Sequence, residues 1–418
     1  MSHDTPSLRP VPHHAAPAAP AATLSGDASG LRQAPLRRLL SRVRAGRLLL
    51  TLPDGARLQA QGAAPGPSAE LRLHRWRPLL RLLQQGDLGL AWSYRDGDWS
   101  TPDLVALLSF GLANEAALDG AISAPAPARW LARLLHRLNA NTRRGSRHNI
   151  AAHYDLGNRF YERWLDGSML YSSALYDGPA DSLEAAQARR LERILGLLDV
   201  RPGQRVLEIG CGWGTLAATL ARRGAEVVGV TLSTEQLAFA RERAAAWGVA
   251  DRVDLRLQDY RDVEGRYDRV VSIEMIEAVG EAYWPVYFAT LRERLKPGGV
   301  AVLQAITIDE RRFEGYRDNP DFIQRCIFPG GMLPSPERMA QQARQAGLRL
   351  STELRFGHSY ARTLADWRRR FQAEWPAIEA QGFDARFKRL WEYYLGYCEA
   401  GFLAGRVDVG LYRLVHEN

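Results

Sequence analysis

Three glycines at alternate positions, Gly210, Gly212 and Gly214, follow an apolar run, Val206-Leu-Glu-Ile209, and lead into Leu216-Ala-Ala-Thr-Leu-Ala-Arg222. Strand, glycine turn and helix in that order open a nucleotide-binding α/β unit. Residues without a Cβ let the chain turn sharply and let a ligand approach main-chain N–H groups. A G-x-G-x-G run alone serves NAD, FAD, S-adenosylmethionine or a plain tight turn. Three details point to S-adenosylmethionine. Glu208, two residues before the first glycine, puts a carboxylate within reach of the amino-acid part of that cofactor. The spacing lacks the third glycine of the fingerprint that seats a pyrophosphate. The next strand, Glu226–Val230, runs into Thr231-Leu-Ser-Thr-Glu-Gln236, with no acid at its end for the ribose of NAD.

These residues need a scaffold, and the chain around them alternates strand and helix. Strand candidates Val227–Val230, Val253–Leu257, Arg269–Ser272 and Val300–Ile306 are separated by helical stretches Ser233–Trp247 and Ala282–Leu295. Units of this length predict a parallel sheet with helices on both faces. Ligands bind such sheets at the C-terminal strand ends. That rule brings Gly210–Gly214, Thr231–Gln236, Asp259-Tyr260, Glu274–Glu277 and Gln304–Ile306 to one rim. Ser233 with Gln236 also reads as a capping box for the helix that follows. Glu277 is placed for chemistry, since a carboxylate just past a buried strand lies where ligands bind.

Composition is that of an ordinary globular protein of 418 residues, long enough for two or three domains. No apolar run approaches the roughly 20 residues of a membrane span, and no apolar signal core marks the first residues. Three scattered cysteines, Cys211, Cys326 and Cys398, suit a reducing compartment and no disulfide framework. Charge is uneven. Residues 1–150 hold 19 Arg and no Lys against 10 acids, +9, leaving −1 for the remainder. Such an excess suits nucleic acid or an anionic membrane surface, or is a solvated face.

Residues 1–30, rich in Pro, Ala, Ser and His, read as a disordered tail. A small α+β domain is expected over 31–120. It comprises a short helix at Leu36–Val43, strands at Arg47–Leu52 and Ala69–Leu73, and helices at Leu79–Gln85 and Pro102–Leu112. A Pro-containing linker and a basic helix occupy 121–147, and the catalytic domain spans 148–418. Ile308–Ser335 reads as an insertion. The tail reads as mostly helical, with Trp391, Tyr394, Leu395, Cys398 and Phe402 on one helical face.

Residues from about 148 onward resemble the cyclopropane-fatty-acyl-phospholipid synthases and mycolic acid cyclopropane synthases. Eight stretches carry the resemblance, in order: His153-Tyr-Asp-Leu-Gly-Asn158, Tyr171-Ser172, Ile209-Gly-Cys-Gly-Trp-Gly214 and Gly229-Val-Thr-Leu-Ser-x-x-Gln236, then Ser272-Ile-Glu-Met-Ile-Glu-Ala-Val-Gly280, Phe328-Pro-Gly-Gly331, Tyr360-x-x-Thr-Leu364 and Trp391-x-x-Tyr-Leu395. The front domain resembles the lipid-carrier-like domain of bacterial members. The resemblance implies a Rossmann-like class I methyltransferase fold with helical additions. It also implies methylene transfer from S-adenosylmethionine to the cis double bond of an unsaturated phospholipid acyl chain. The alternatives are a methyl- or methylene-branching enzyme and an inactive lipid-binding relative.

Carried onto this sequence, the resemblance assigns Tyr171, Ser172, Glu208, Gly210, Gly212, Gly214, Thr231, Ser233, Gln236, Asp259 and Tyr260 to the cofactor. It further implies a bound bicarbonate as base. Glu277, Tyr360 and the backbone at Ile306 match its family ligands, while Ser173 stands at the family Cys and Gln304 at the family His. Glu277, Tyr360, Ser173 and Gln304 are therefore expected to line one polar pocket. Cys398 matches a tail cysteine treated as catalytic in the family, although a thiol on an apolar face also packs as a small hydrophobe. No metal is expected. The implied setting is cytoplasmic and peripheral to the membrane, with no nucleic acid and a homodimer left open.

Overall fold

The computed structural model describes residues 23–25, 34–118 and 156–417. The expected tail, apart from 23–25, the linker and basic helix at 121–147, and His153 lie outside the described residues. The first sheet contains β1 (Thr23–Ser25), β2 (Ala45–Thr51), β3 (Arg57–Gln61), β4 (Ala64–Leu73) and β5 (Trp99–Ser100), in the order β1-β3-β2-β4-β5. Its helices are Ala34–Leu40, Arg77–Gln85, Asp87–Arg95 and Leu104–Ala113. Asn114 ties this sheet to its last long helix. Its carbonyl oxygen accepts from the Arg44 and Ala45 amides at 2.7 and 3.0 Å, and its NH2 donates to the carbonyls of Ala45 and Phe110. Every hydrogen-bonding group of that buried amide is used, as burial requires.

The second sheet contains β6 (Arg205–Ile209), β7 (Glu226–Thr231), β8 (Val253–Leu257), β9 (Tyr267–Ile273), β10 (Leu295–Ile308), β11 (Leu348–Arg355) and β12 (Val407–His416). The order is β11-β12-β10-β9-β6-β7-β8. β6 to β10 run parallel, and β12 lies antiparallel between β10 and β11. The strand order reverses beside β6, between β7 and β9, so a crevice opens at their C-terminal ends. Val206, Leu207 and Ile209 are fully buried, as expected of a central parallel strand covered on both faces.

Two features depart from expectation. The tail after Trp367 is mostly helical but ends in the strand β12, which was not expected. Val407–His416 lacks clean alternation because β12 pairs on both sides and is covered on both faces, so period-2 patterning is lost. The stretch between the expected strands Arg47–Leu52 and Ala69–Leu73 is not left without regular structure, since it forms β3 and the start of β4, with Pro65 and Pro67 in β4.

The two sheets are joined by the helix Ala385–Leu403, which packs against the helices Asp87–Arg95 and Leu104–Ala113. Gly396 permits this approach: a Cβ there would sit 3.2 Å from the Leu104 side chain. Arg406 and Arg312 both pair with Glu115, and Arg386 pairs with Asp96 at 2.7 Å. No helix among the described residues is long and apolar enough to cross a membrane.

Candidate active site

The glycine turn forms one wall of a cleft at the sheet's crevice. Gly210, Gly212 and Gly214 all take positive φ, at 82°, 51° and 81°. A Cβ on Gly210 would strike Met275, whereas one on Gly212 would meet nothing within 4 Å and would enter the cleft. Tyr171, Ser172, Glu208, Thr231, Gln236 and Tyr260 line the same cleft. Glu208 is buried and one of its carboxylate oxygens has no partner. Burial pushes its carboxyl well above the usual range, so an ammonium group is the natural complement. The orphaned carboxylate and the glycine wall fit the amino-acid end of S-adenosylmethionine.

Three residues assigned to the cofactor do not line the cleft. Gly214 caps the helix Thr215–Arg222 and abuts Ala240. The Ser233 hydroxyl caps the helix Thr234–Ala246 by accepting from the Gln236 amide at 3.2 Å. The capping box is only half formed, because the Gln236 side-chain oxygen instead accepts from the Thr231 hydroxyl at 3.0 Å. Asp259 pairs with Arg261 at 2.6 Å, which takes up its carboxylate.

Gln304, Tyr360 and the Ser173 backbone converge on Glu274 rather than on Glu277. One oxygen of the Glu274 carboxylate accepts from the Gln304 side-chain amide at 2.7 Å and from the Ser173 backbone amide at 3.0 Å. The other accepts from the Tyr360 hydroxyl at 2.7 Å. The Ser173 hydroxyl plays no part, since it donates to the Ala174 carbonyl. Arg190, fully buried, donates to the Gln304 side-chain oxygen at 3.2 Å. Arginine only donates and a carboxylate only accepts, so the chain Arg190–Gln304–Glu274–Tyr360 fixes the orientation of the glutamine. Glu274 takes φ +49°, a rare conformation for a side-chain-bearing residue and one that clusters at functional sites.

Glu277 lies one turn on. Its carboxylate accepts from the Ile306 amide at 2.5 Å, and its other oxygen is buried without a partner. Burial and the neighbouring charge of Glu274 push its carboxyl up to about 8. Burial also raises Glu274, but three donors and the charge of Arg190 oppose the rise. Two adjacent carboxyls in different environments separate into an acid and a base. Glu277 is therefore the carboxyl biased toward its protonated form, and Glu274, with three donors and Arg190 beside it, is the better placed of the two to carry charge.

A second, apolar cavity of about 1570 Å³ lies between the two sheets' units. Leu39, Leu48, Leu79 and Leu107 line it from the first unit, and Glu277, Tyr360, Ile306 and Cys398 from the second. Tyr171, Glu274 and Met275 line both this cavity and the cofactor cleft, so the two meet there. Tyr360 stacks obliquely on Phe402 with centroids 4.5 Å apart, and the Tyr171 hydroxyl shares a 2.7 Å hydrogen bond with that of Tyr394. Burial pushes the Cys398 thiol far up. It forms part of the cavity wall, where burial disfavours its thiolate form.

Two residues of this site were not singled out from sequence. Glu274 stands in a Glu-x-x-Glu pair directly after a buried strand, which is a readable signal. Arg190 shares the buried stripe Leu183, Ala186, Gln187, Ile194 of its helix, and an arginine in an apolar stripe is another.

A seven-stranded, mostly parallel sheet with a glycine turn at its crevice and an orphaned carboxylate beside it defines a class I S-adenosylmethionine-dependent methyltransferase. Residues 141–411 match the mycolic acid cyclopropane synthetase family, and the chain belongs to that family. It is 40% identical over 385 residues to the tuberculostearic acid methyltransferase UfaA1 of Mycobacterium tuberculosis, covering 88% of each chain. It is 38% identical over 372 residues to the cyclopropane-fatty-acyl-phospholipid synthase of Escherichia coli K12, covering 88% of this chain and 92% of the other. Among solved structures, the mycolic acid cyclopropane synthase CmaA1, complexed with SAH and CTAB, superposes with a TM-score of 0.57 at 28% identity. That match covers 64% of this chain and 97% of CmaA1. The chain is thus an S-adenosylmethionine-dependent methyltransferase of the cyclopropane synthase type, acting in lipid metabolism.

Proposed function

We propose that this enzyme transfers a one-carbon unit from S-adenosylmethionine to the cis double bond of an unsaturated phospholipid acyl chain, with Glu274 as the base. The observation that carries this reading is the meeting of cofactor cleft and apolar cavity at Tyr171, Glu274 and Met275. Bound S-adenosylmethionine supplies an electrophilic methyl group. An alkene is a poor nucleophile, so alignment along the shared wall supplies much of the rate. Attack leaves a positive charge on the adjacent acyl carbon. The rings of Tyr360 and Phe402 offer π-faces to that charge and Glu274 offers a carboxylate. The leucine-lined cavity withholds the water that would otherwise capture the cation.

Glu274 then takes a proton from the transferred methyl. The side-chain donors expected to hold a bicarbonate, the Tyr360 hydroxyl and the Gln304 amide, already meet Glu274, as does the Ser173 backbone. The residues therefore do not fit a free anion, and the protein's own carboxylate occupies that role. Proton loss directly from the first cation closes a cyclopropane ring. Proton loss after a 1,2-hydride shift leaves a methylene branch instead. Both outcomes remove a proton from the same carbon, so the base sits in the same place for each. The names of the relatives, one a methyltransferase and one a cyclopropane synthase, support either product. Mass spectrometry of lipids from a host with monounsaturated phospholipids tests the reading. Both products gain one CH2, and mild hydrogenation adds two hydrogens to the methylene branch alone. Lipids without that mass gain would refute the proposal. The same reading places the enzyme peripherally on an anionic membrane surface.

A further inference from the structure

The helix Arg77–Gln85 is amphipathic: Leu79, Leu80, Leu82 and Leu83 form one broad apolar face, with Arg81, Gln84 and Gln85 on the other. Leu79 and Leu82 line the apolar cavity. Leu80 and Leu83 face solvent at 58% and 60% exposure. Among the described residues they are the two exposed large apolar side chains that share a helical face, one turn apart. An apolar helical face this broad needs apolar neighbours along its whole width. The cavity takes up part of that face, and among the described residues Leu80 and Leu83 remain exposed on the rest of it. Beside the helix, Arg75, Arg77, Arg81, Arg95 and Arg386 crowd two carboxylates, Asp96 and Asp98. Five cations against two anions leave three positive charges in excess at that corner.

We propose that the helix Arg77–Gln85 is the membrane-inserting element of this protein, with Leu80 and Leu83 entering the acyl layer of a phospholipid bilayer. The inference rests on the acyl-chain reading of the cavity and adds where the bilayer meets the protein. The occupant follows from continuity and charge. The outward leucines adjoin those lining the cavity, so a chain leaving the bilayer beside Leu83 passes from one apolar surface to another without crossing water. The arginine excess complements anionic headgroups, and a basic rim around a short apolar helix is the pattern of interfacial anchoring. Passage of an acyl chain along this face also removes the need to extract a whole lipid into solvent.

The test is co-sedimentation of the full chain with vesicles of phosphatidylcholine and phosphatidylglycerol at high salt, where the apolar contribution dominates. Glutamine at both positions (L80Q and L83Q) keeps the helix propensity and removes the apolar contact. Each leucine is more than half exposed, so its insertion is worth on the order of tenfold in binding, and roughly a hundredfold for the pair. Leu257→Gln, at an exposed leucine on β8, should leave vesicle binding unchanged. Turnover on the same phospholipid dispersed in detergent should stay within about twofold of wild type. Vesicle binding by the double variant within about threefold of wild type would overturn the proposal. An equal loss for Leu257→Gln, or an equal loss of turnover in detergent, would overturn it too. Vesicle binding is read without catalysis: absence of product with a vesicle-binding defect intact would count against the acyl-transfer reading alone.

Discussion

Glu274→Gln keeps the shape of the side chain and removes its charge. The amide oxygen can still accept from the Gln304 amide and the Ser173 backbone, and the Tyr360 hydroxyl can reverse to accept from the new NH2, so the local geometry should survive. The base does not survive, and Arg190 is left with a weaker anionic environment. Hydrogen bonds to a charged group are worth about 1.5–3 kcal/mol against about 1 for neutral ones, so roughly 2–3 kcal/mol of stability should be lost. Loss of a positioned base costs about 10²–10⁴ in rate, or roughly 3–5 kcal/mol of barrier. The assay is single-turnover product formation with methyl-labelled cofactor, alongside calorimetric binding of S-adenosylhomocysteine, which lacks the sulfonium charge. The expected result is turnover down at least a hundredfold, with S-adenosylhomocysteine affinity within about threefold. Glu274→Gly should open the three donors to an outside anion, since glycine tolerates φ +49°. Added bicarbonate or formate should restore part of its activity. Turnover of Glu274→Gln within about threefold of wild type would refute the assignment of Glu274 as base.

Other outcomes follow from the same geometry. The folded chain raises Glu277 from an ordinary 4.5 to about 8, so between those values the folded state holds a proton that the unfolded chain has released. That contribution is full below about 4.5 and is lost as pH rises toward 8; the thermal midpoint of wild type relative to Glu277→Gln should therefore fall over that window, and a constant difference would refute it. Gly212→Val puts a branched side chain into the cleft at φ +51° and should weaken cofactor binding at least tenfold, at roughly 1–2 kcal/mol of backbone strain; unchanged affinity in calorimetry of the folded variant would exclude Gly212 from the site. Arg190→Leu removes one partner of a buried charge network and should cost about 3–5 kcal/mol of stability, with Arg190→Lys recovering part of the loss; a thermal midpoint equal to wild type would remove Arg190 from the network. Binding to anionic vesicles should weaken as salt rises, given the +9 excess in residues 1–150; equal binding to neutral vesicles would exclude the electrostatic share.

What sequence alone determined was local or periodic. Gly210, Gly212 and Gly214 announce a turn because only glycine takes that run of positive φ cheaply. Alternating strand and helix fix the parallel sheet, and the strand-end rule then brings Glu208, Thr231 and Tyr260 to one cleft. Tertiary structure decided the rest. The groups that meet Glu274 lie 101, 30 and 86 residues away in the chain, and spacing cannot report contacts of that range. Glu274 and Glu277 look equivalent as letters. One turns through a positive φ into a cage of donors and the other meets a single amide, so their environments differ. β12 was illegible because a strand covered on both faces loses its alternation, leaving an apolar run that strand and helix share. The cavity belongs to neither sheet's unit alone. Leu79 and Glu277 share it because Gly396 lets the helix Ala385–Leu403 close on Leu104, a steric allowance visible only once both surfaces are in place.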